Sequence, residues 1–173
     1  MRQTPILNLD RGIAAFLVSL VLPLVLTGYL AANEQGKPKA GCTETNITGL
    51  ANPGNTCGSS SDPCIVDIKR TSSAASATPG IQGAKANQLF AITVGTTVTW
   101  QSTSKNTGFV IDFGSSSPFD PSGAIMGGSD RAVSVVAKKP GCYRYSIGAC
   151  VAGTIYGMCD SKQAELVVVA ASK

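Results

Sequence analysis

Six cysteines and no histidine set the chemistry open to this chain. Cys42, Cys57, Cys64, Cys142, Cys150 and Cys159 form two groups of three, with gaps of 15, 7, 8 and 9 residues inside the groups. None of these gaps is a CxxC spacing, which argues against a thiolate zinc site. Without imidazole the chain lacks the commonest general base near neutral pH and the commonest metal ligand. Ser-His-Asp triads, Cys-His pairs and copper centres held by two imidazoles are all excluded on composition. An even number of cysteines in an exported chain points to disulfides. Three lie before residue 65 and three after residue 141. If all six pair, at least one bridge must cross between the groups. Such a bridge closes a loop of about 80 residues, for which the chain-entropy estimate is roughly 4 kcal/mol.

The remaining chemistry is sparse. Met126, Met158 and Cys150 offer soft sulfur that suits Cu(I), provided Cys150 is reduced and the methionines converge on it. Ser102-Thr103-Ser104-Lys105 has the spacing of a serine nucleophile with a lysine base. It falls in a strand-end loop and has none of the helical context such an enzyme needs, so no catalytic residue is assigned. Ser59–Ser61 and Ser115–Ser117 lack a base. Asp112, Asp120, Asp130 and Asp160 stand near loops without a calcium-loop pattern. Trp100, Tyr143 and Tyr145 fit alternating strands as core and corner residues better than as a binding face. No metal and no other cofactor is expected.

Residues 12–33, from Gly12 to Asn33, carry no charge over 22 positions and follow Arg2 and Arg11. The basic flank stays inside and the C-terminal bulk is exported. The stretch is long enough for a membrane helix, which Pro23 would kink. A signal peptide cleaved near residue 32 is the competing reading. Either way the expected location is periplasm, cell envelope or cell exterior. Beyond residue 32 the chain has 12 basic and 9 acidic side chains, a net +3 with no basic patch. That argues against nucleic-acid binding. Asn46-Ile47-Thr48 fits a glycosylation acceptor, relevant only to a eukaryotic secretory route.

Residues 33–63 are rich in Gly, Asn and Pro and show no periodicity, as expected of a polar spacer. From residue 64 to 173, short alternating apolar runs predict about seven strands. These are Cys64–Lys69, Leu89–Val94, Thr97–Ser102, Phe109–Phe113, Arg131–Ala137, Cys142–Ile147 and Ala164–Ala170. Turn formers at Pro79-Gly80, Gly127-Gly128 and Pro140-Gly141 separate them, which predicts an all-β sandwich preceded by an N-terminal apolar helix. Residues 71–80 read as a low-complexity loop and Ser115–Ser129 as a longer excursion.

Three pieces stand in a telling order. They are Val94-Gly95-Thr96-Thr97-Val98-Thr99-Trp100, then Phe109-Val110-Ile111-Asp112-Phe113, then Pro140-Gly141-Cys142-Tyr143-Arg144-Tyr145 with Gly157-Met158 and a final strand Glu165–Val169. This succession resembles the cupredoxin-like fold over roughly residues 64–170. The resemblance implies copper held by one His after the Trp strand and by a Cys-His-Met set after the Tyr strand. Here the first position falls near Gly108 or Phe109. In the second set Ile147 stands where the Cys is usual, Cys150 where the His is, and Met158 can match the Met. The implication is a cupredoxin scaffold without type-1 copper. Near the N-terminus, Arg11-Gly12, Ala14-Ala15-Phe16 and Val21-Leu22-Pro23 are similar to the anchor of the small pilin-like proteins of the Tad pilus system, with Ala15 where a Glu is usual.

The expectation is an exported, disulfide-stapled, non-catalytic module with protein partners at the cell surface or envelope, contacting them through loops such as Ser115–Ser129. It would touch the membrane through residues 12–33 if these are retained. A sulfur-ligated Cu(I)-binding protein and a minor component of a surface filament are the alternatives.

Overall fold

The computed structural model describes Cys42, residues 47–158 and residues 163–171. The apolar segment at 12–33, its expected helix and Cys159 lie outside the described residues. One short helix, α1 (Ile47–Leu50), precedes ten strands: β1 (Cys64–Thr71), β2 (Ala74–Pro79), β3 (Phe90–Thr93), β4 (Thr97–Gln101), β5 (Gly108–Asp112), β6 (Ile125–Gly128), β7 (Val133–Val136), β8 (Gly141–Val151), β9 (Thr154–Tyr156) and β10 (Ala164–Val169). They form two packed sheets. One has the order β2-β1-β4-β7, and the other β3-β10-β8-β5-β6, with β9 paired to β8. Pairs β1–β4 and β3–β10 are parallel and the rest antiparallel.

Ten strands rather than seven is the main correction, and each extra strand has a physical cause. The loop expected at residues 71–80 is mostly β2, which turns back on β1 at Ser72, a left-handed residue with φ 50°. Ala75, Ser76 and Ala77 are all buried, so this strand is covered on both faces and needs small side chains. Small residues erase the apolar–polar alternation that marks a half-buried strand. Strand β6 lies inside the stretch expected to be the excursion Ser115–Ser129. Its Gly127 has no room for a side chain, since a Cβ would stand 2.5 Å from both Arg131 O and Phe109 Cζ. Strand β9 folds back from β8 through a two-residue turn at Ala152 (φ 49°) and Gly153 (φ 80°), the pairing of positive φ values that suits a tight hairpin.

The core lies between the sheets. Inward positions of β1 and β4 (Val66, Ile68, Val98, Trp100) meet those of β5, β8 and β10 (Phe109, Ile111, Tyr145, Ile147, Leu166, Val168). Trp100 is the hub. Its ring centroid is 5.5 Å from Tyr145 and 6.4 Å from both Phe113 and Phe119, each in an edge-to-face arrangement. Such geometry contributes about 0.5–1.5 kcal/mol per pair beyond area burial. Tyr143 fixes the start of β8, its hydroxyl donating to Lys139 O at 3.1 Å and Pro140 O at 3.3 Å.

The β2 and β3 edges of the sheets carry local devices. Asn87, at φ 58°, donates its N–H to Ala77 O at 2.7 Å and accepts Ala77 N–H on its side-chain oxygen at 2.8 Å, capping β2. Residues Asn55–Cys57 run along β3: Cys57 N–H donates to Ala91 O and Ala91 N–H to Asn55 O, both at 2.8 Å. Part of the stretch read as a spacer thus completes the sheet. Closing an edge in this way removes a template for pairing with other chains.

Candidate functional site

Four of the six cysteines form two disulfides. Cys42 is bonded to Cys142 across 100 residues of chain, and Cys57 to Cys64 across 7. The first joins the N-terminal group of cysteines to the C-terminal group. Loop-closure entropy gives about 4.7 kcal/mol for the long loop and about 2.4 kcal/mol for the short one. Cys57 and Cys64 are buried in the core, whereas Cys42 and Cys142 are half-buried. Cys150 is free among the described residues.

The positions that the resemblance assigns to copper ligands sit on β5, β8 and the end of the β9 hairpin. Phe109 and Ile147 point into the core, 2% and 4% exposed. Gly108 and Cys150 are cross-strand partners, and a Cβ on Gly108 would lie 3.3 Å from the Cys150 Cβ. Where a ligand loop would follow the Tyr strand, β8 runs on for 11 residues and turns back directly into β9. Gly157, just after that hairpin, packs against Ala75 of β2, and Arg70 of β1 covers the Tyr156 ring at 4.0 Å. The hairpin therefore closes against the other sheet.

The sulfur atoms do share a face. Val110 stands between Met126 and Gly148 in the ladder, and Cys150 is two residues beyond Gly148. Alternation puts Met126, Val110, Gly148 and Cys150 on the outer side of the sheet. Met158 lies over Gly148, with Cγ 2.6 Å and Sδ 3.0 Å from where a Cβ would stand. Exposed Ile155 pairs with Cys150 on the same side. Among the described residues no group of three His, Cys, Asp or Glu side chains could hold a metal ion. Beside this face a groove of about 480 Å³ is lined by Asn106, Gly108, Met126, Gly128, Asp130 and Arg131.

Several of the other candidate residues are engaged structurally, and Asp160 lies outside the described residues. Ser102 is buried and its Oγ accepts the Ser104 N–H at 3.3 Å, so it serves the turn after β4. Asp112 accepts the Gly114 N–H at 2.8 Å. Ser59 accepts N–H bonds from Ser61 and Asp62 within the loop that the Cys57–Cys64 bridge closes. Part of the expected contact loop packs into the core: Ser117 and Phe119 are buried, and Ile125 starts β6 facing inward. The stretch from residue 120 to 124 and Met126 of β6 are exposed.

The hub of the core carries two electrostatic anomalies. Burial pushes the Tyr145 hydroxyl well above its ordinary pKa, because the phenolate would lose its solvation. Trp100 Nε1 and Thr96 Oγ1 are buried without a hydrogen-bond partner among the described residues. An unmet buried donor costs about 1–3 kcal/mol, which the aromatic packing around Trp100 must offset. Sequence reasoning placed Trp100 in the core. It gave no role to Phe119, which reaches Trp100 from a loop with no strand periodicity.

No protein-family model matches the chain. No curated protein matches it either. A solved structure of an amicyanin mutant in its oxidized form is similar at 16% identity and a TM-score of 0.35, over 67% of this chain and 94% of that one.

Proposed function

We propose that the chain is an exported, disulfide-stapled module of cupredoxin-like fold without type-1 copper, acting non-catalytically through protein contacts at the cell envelope or surface. One observation carries the reading: the region that would have to hold copper is built as scaffold. Its ligand positions are Gly108 or Phe109 and core-facing Ile147, and β8 continues into a hairpin where a ligand loop is expected. No histidine exists anywhere in the chain to supply imidazole.

A second reading has its own observation. Met126, Met158 and Cys150 lie on one outer face, which suits a Cu(I) carrier with sulfur ligands. One experiment separates the two. The protein is purified from its own envelope without reductant, and its copper content, intact mass and alkylatable thiols are measured, with cross-linking to neighbours beforehand. The proposed module has six protected cysteines, no stoichiometric copper and a defined cross-linked protein partner. One Cu(I) per chain, lost in Cys150→Ser, would establish the carrier instead. Residues 12–33 retained within a fibre would favour the filament component.

A further inference from the structure

A second cavity, of about 340 Å³, lies where the loop after β5 meets the turn before β8. Ser115, Ser116, Ser117 and Ser122 line it from the loop, and Lys139 with Gly141–Tyr143 from the turn. None of these side chains is acidic. The loop is anchored at both ends, because Phe113 and Phe119 are 5% and 1% exposed with ring centroids 5.4 Å apart. Within it the Ser116 N–H donates to Phe113 O at 3.4 Å and the Phe119 N–H to Ser117 Oγ at 3.2 Å. Asp112, which precedes the loop, accepts the Gly114 N–H at 2.8 Å. The lysine backbone is tied to the same loop. Lys138 and Lys139 both donate their N–H to Pro118 O, at 2.8 and 3.2 Å, and Lys139 O accepts the Tyr143 hydroxyl at 3.1 Å.

The donors of this cavity are left unspent. Ser117 is 5% exposed and accepts the Phe119 N–H, yet no acceptor among the described residues takes its hydroxyl proton. A hydroxyl carries one donor besides its lone pairs, so that proton is free to serve a ligand. Lys139 is exposed and has no ion pair among the described residues. Its ammonium brings three donors and no acceptor. A cation with convergent hydroxyls and no carboxylate suits an oxyanion. Lysine acts as a point charge and lacks the planar fork by which arginine matches a carboxylate, so donors from several directions fit a tetrahedral ion. We propose that Ser115, Ser116, Ser117, Ser122 and Lys139 bind a tetrahedral oxyanion, a phosphate or sulfate group that is either free or carried on a larger molecule. Lys139 supplies the charge and Ser117 the buried donor that orients the group. This site is separate from the sulfur atoms of the outer face, and it stands whether or not the module works through protein contacts.

The test is calorimetric titration of the full chain with inorganic phosphate, inorganic sulfate, glycerol phosphate and acetate at matched ionic strength. The expected result is saturable binding of phosphate or sulfate at one site per chain, with acetate at least about ten-fold weaker. Lys139→Gln should weaken binding at least about ten-fold, the share of one charge-assisted hydrogen bond. Lys138→Gln removes the same charge from outside the lining and should change affinity by no more than about two-fold, as for a screened surface charge. Ser115→Ala combined with Ser116→Ala leaves the Ser117–Phe119 bond intact and should weaken binding by about two- to ten-fold. Urea midpoints equal to that of the unaltered chain show that these losses are local. Glycerol phosphate bound as tightly as phosphate identifies a pendant group as the ligand, and uptake of the inorganic ion alone identifies a free one. The proposal is overturned if neither phosphate nor sulfate saturates, if acetate binds equally well, or if the two lysine variants lose the same affinity.

Discussion

Two glycines of the β8–β9 hairpin provide a matched test of how the sandwich closes. Gly153 and Gly157 both have positive φ, 80° and 95°, so alanine at either pays for a left-handed backbone. That conformational term is about 1–2 kcal/mol at each site. The surroundings differ sharply. A Cβ on Gly153 would meet nothing within 4 Å, whereas one on Gly157 would stand 2.6 Å from Ala75 N, 2.8 Å from Ala75 Cβ and 2.8 Å from Ile147 O. Two of those atoms belong to backbone that cannot rotate away, so the hairpin must move off β2. Overpacking of this kind costs a further 1–3 kcal/mol or so. Gly153→Ala should therefore destabilise by about 1–2 kcal/mol and Gly157→Ala by about 2–5 kcal/mol. Urea unfolding followed by Trp100 fluorescence reads both, with the m-value confirming that the same surface unfolds. Equal losses in the two variants would refute the argument, because they would mean that the hairpin is not held against β2.

Three further outcomes follow from the same structure. Ala152→Asn should stabilise by roughly 0.5–1 kcal/mol in the same unfolding assay, because Ala152 holds φ 49° in the tight turn and asparagine tolerates that region better. Phe119→Ala should cost about 3–5 kcal/mol, since the ring is buried against Trp100 and Phe113, and a shift in tryptophan emission should accompany the loss. Tyr145 binds its proton more tightly folded than unfolded, so its contribution is complete below the ordinary value of 10.0 and is lost as pH rises above it. Stability should fall there by up to about 1.4 kcal/mol per pH unit, and ultraviolet titration should find one tyrosine that ionises only on unfolding.

Legibility followed side-chain size and alternation. The strands around Trp100, Ile111, Tyr145 and Leu166 were readable because large apolar residues alternate with polar ones when a strand has one face in the core. The pattern failed where both faces are covered or where no side chain fits. Ala75–Ala77 is covered on both sides, and Gly127 and Gly148 stand where neighbours occupy the space of a Cβ. Glycine and alanine there look like loop in a linear reading, although packing is what demands them. The cysteine parity argument needed no geometry. It required a crossing bridge but left open which cysteines make it, because partner choice depends on where β8 and the N-terminal stretch meet in space. Met126, Cys150 and Met158 could be named as a sulfur set from residue type alone, but their shared outer face arises only through the registers of β6, β5 and β8.

The absence of histidine and the course of β8 constrain function in the same direction by independent routes. Composition removes imidazole, and with it a type-1 centre, whatever the fold. Topology makes a separate demand, because a ligand loop needs chain that leaves the ladder, and here the chain stays in it. Residues Ser146–Val151 remain paired, Ser146–Cys150 with β5 and Ala149–Val151 with β9. Placing imidazoles at Gly108 and Ile147 would therefore not create a type-1 site. A side chain at Gly108 would meet the Cys150 Cβ at 3.3 Å, and an imidazole at Ile147 would be directed into the core beside Tyr145. This end of the molecule is built as continuous sheet, with Met126, Cys150 and Met158 on its outer face.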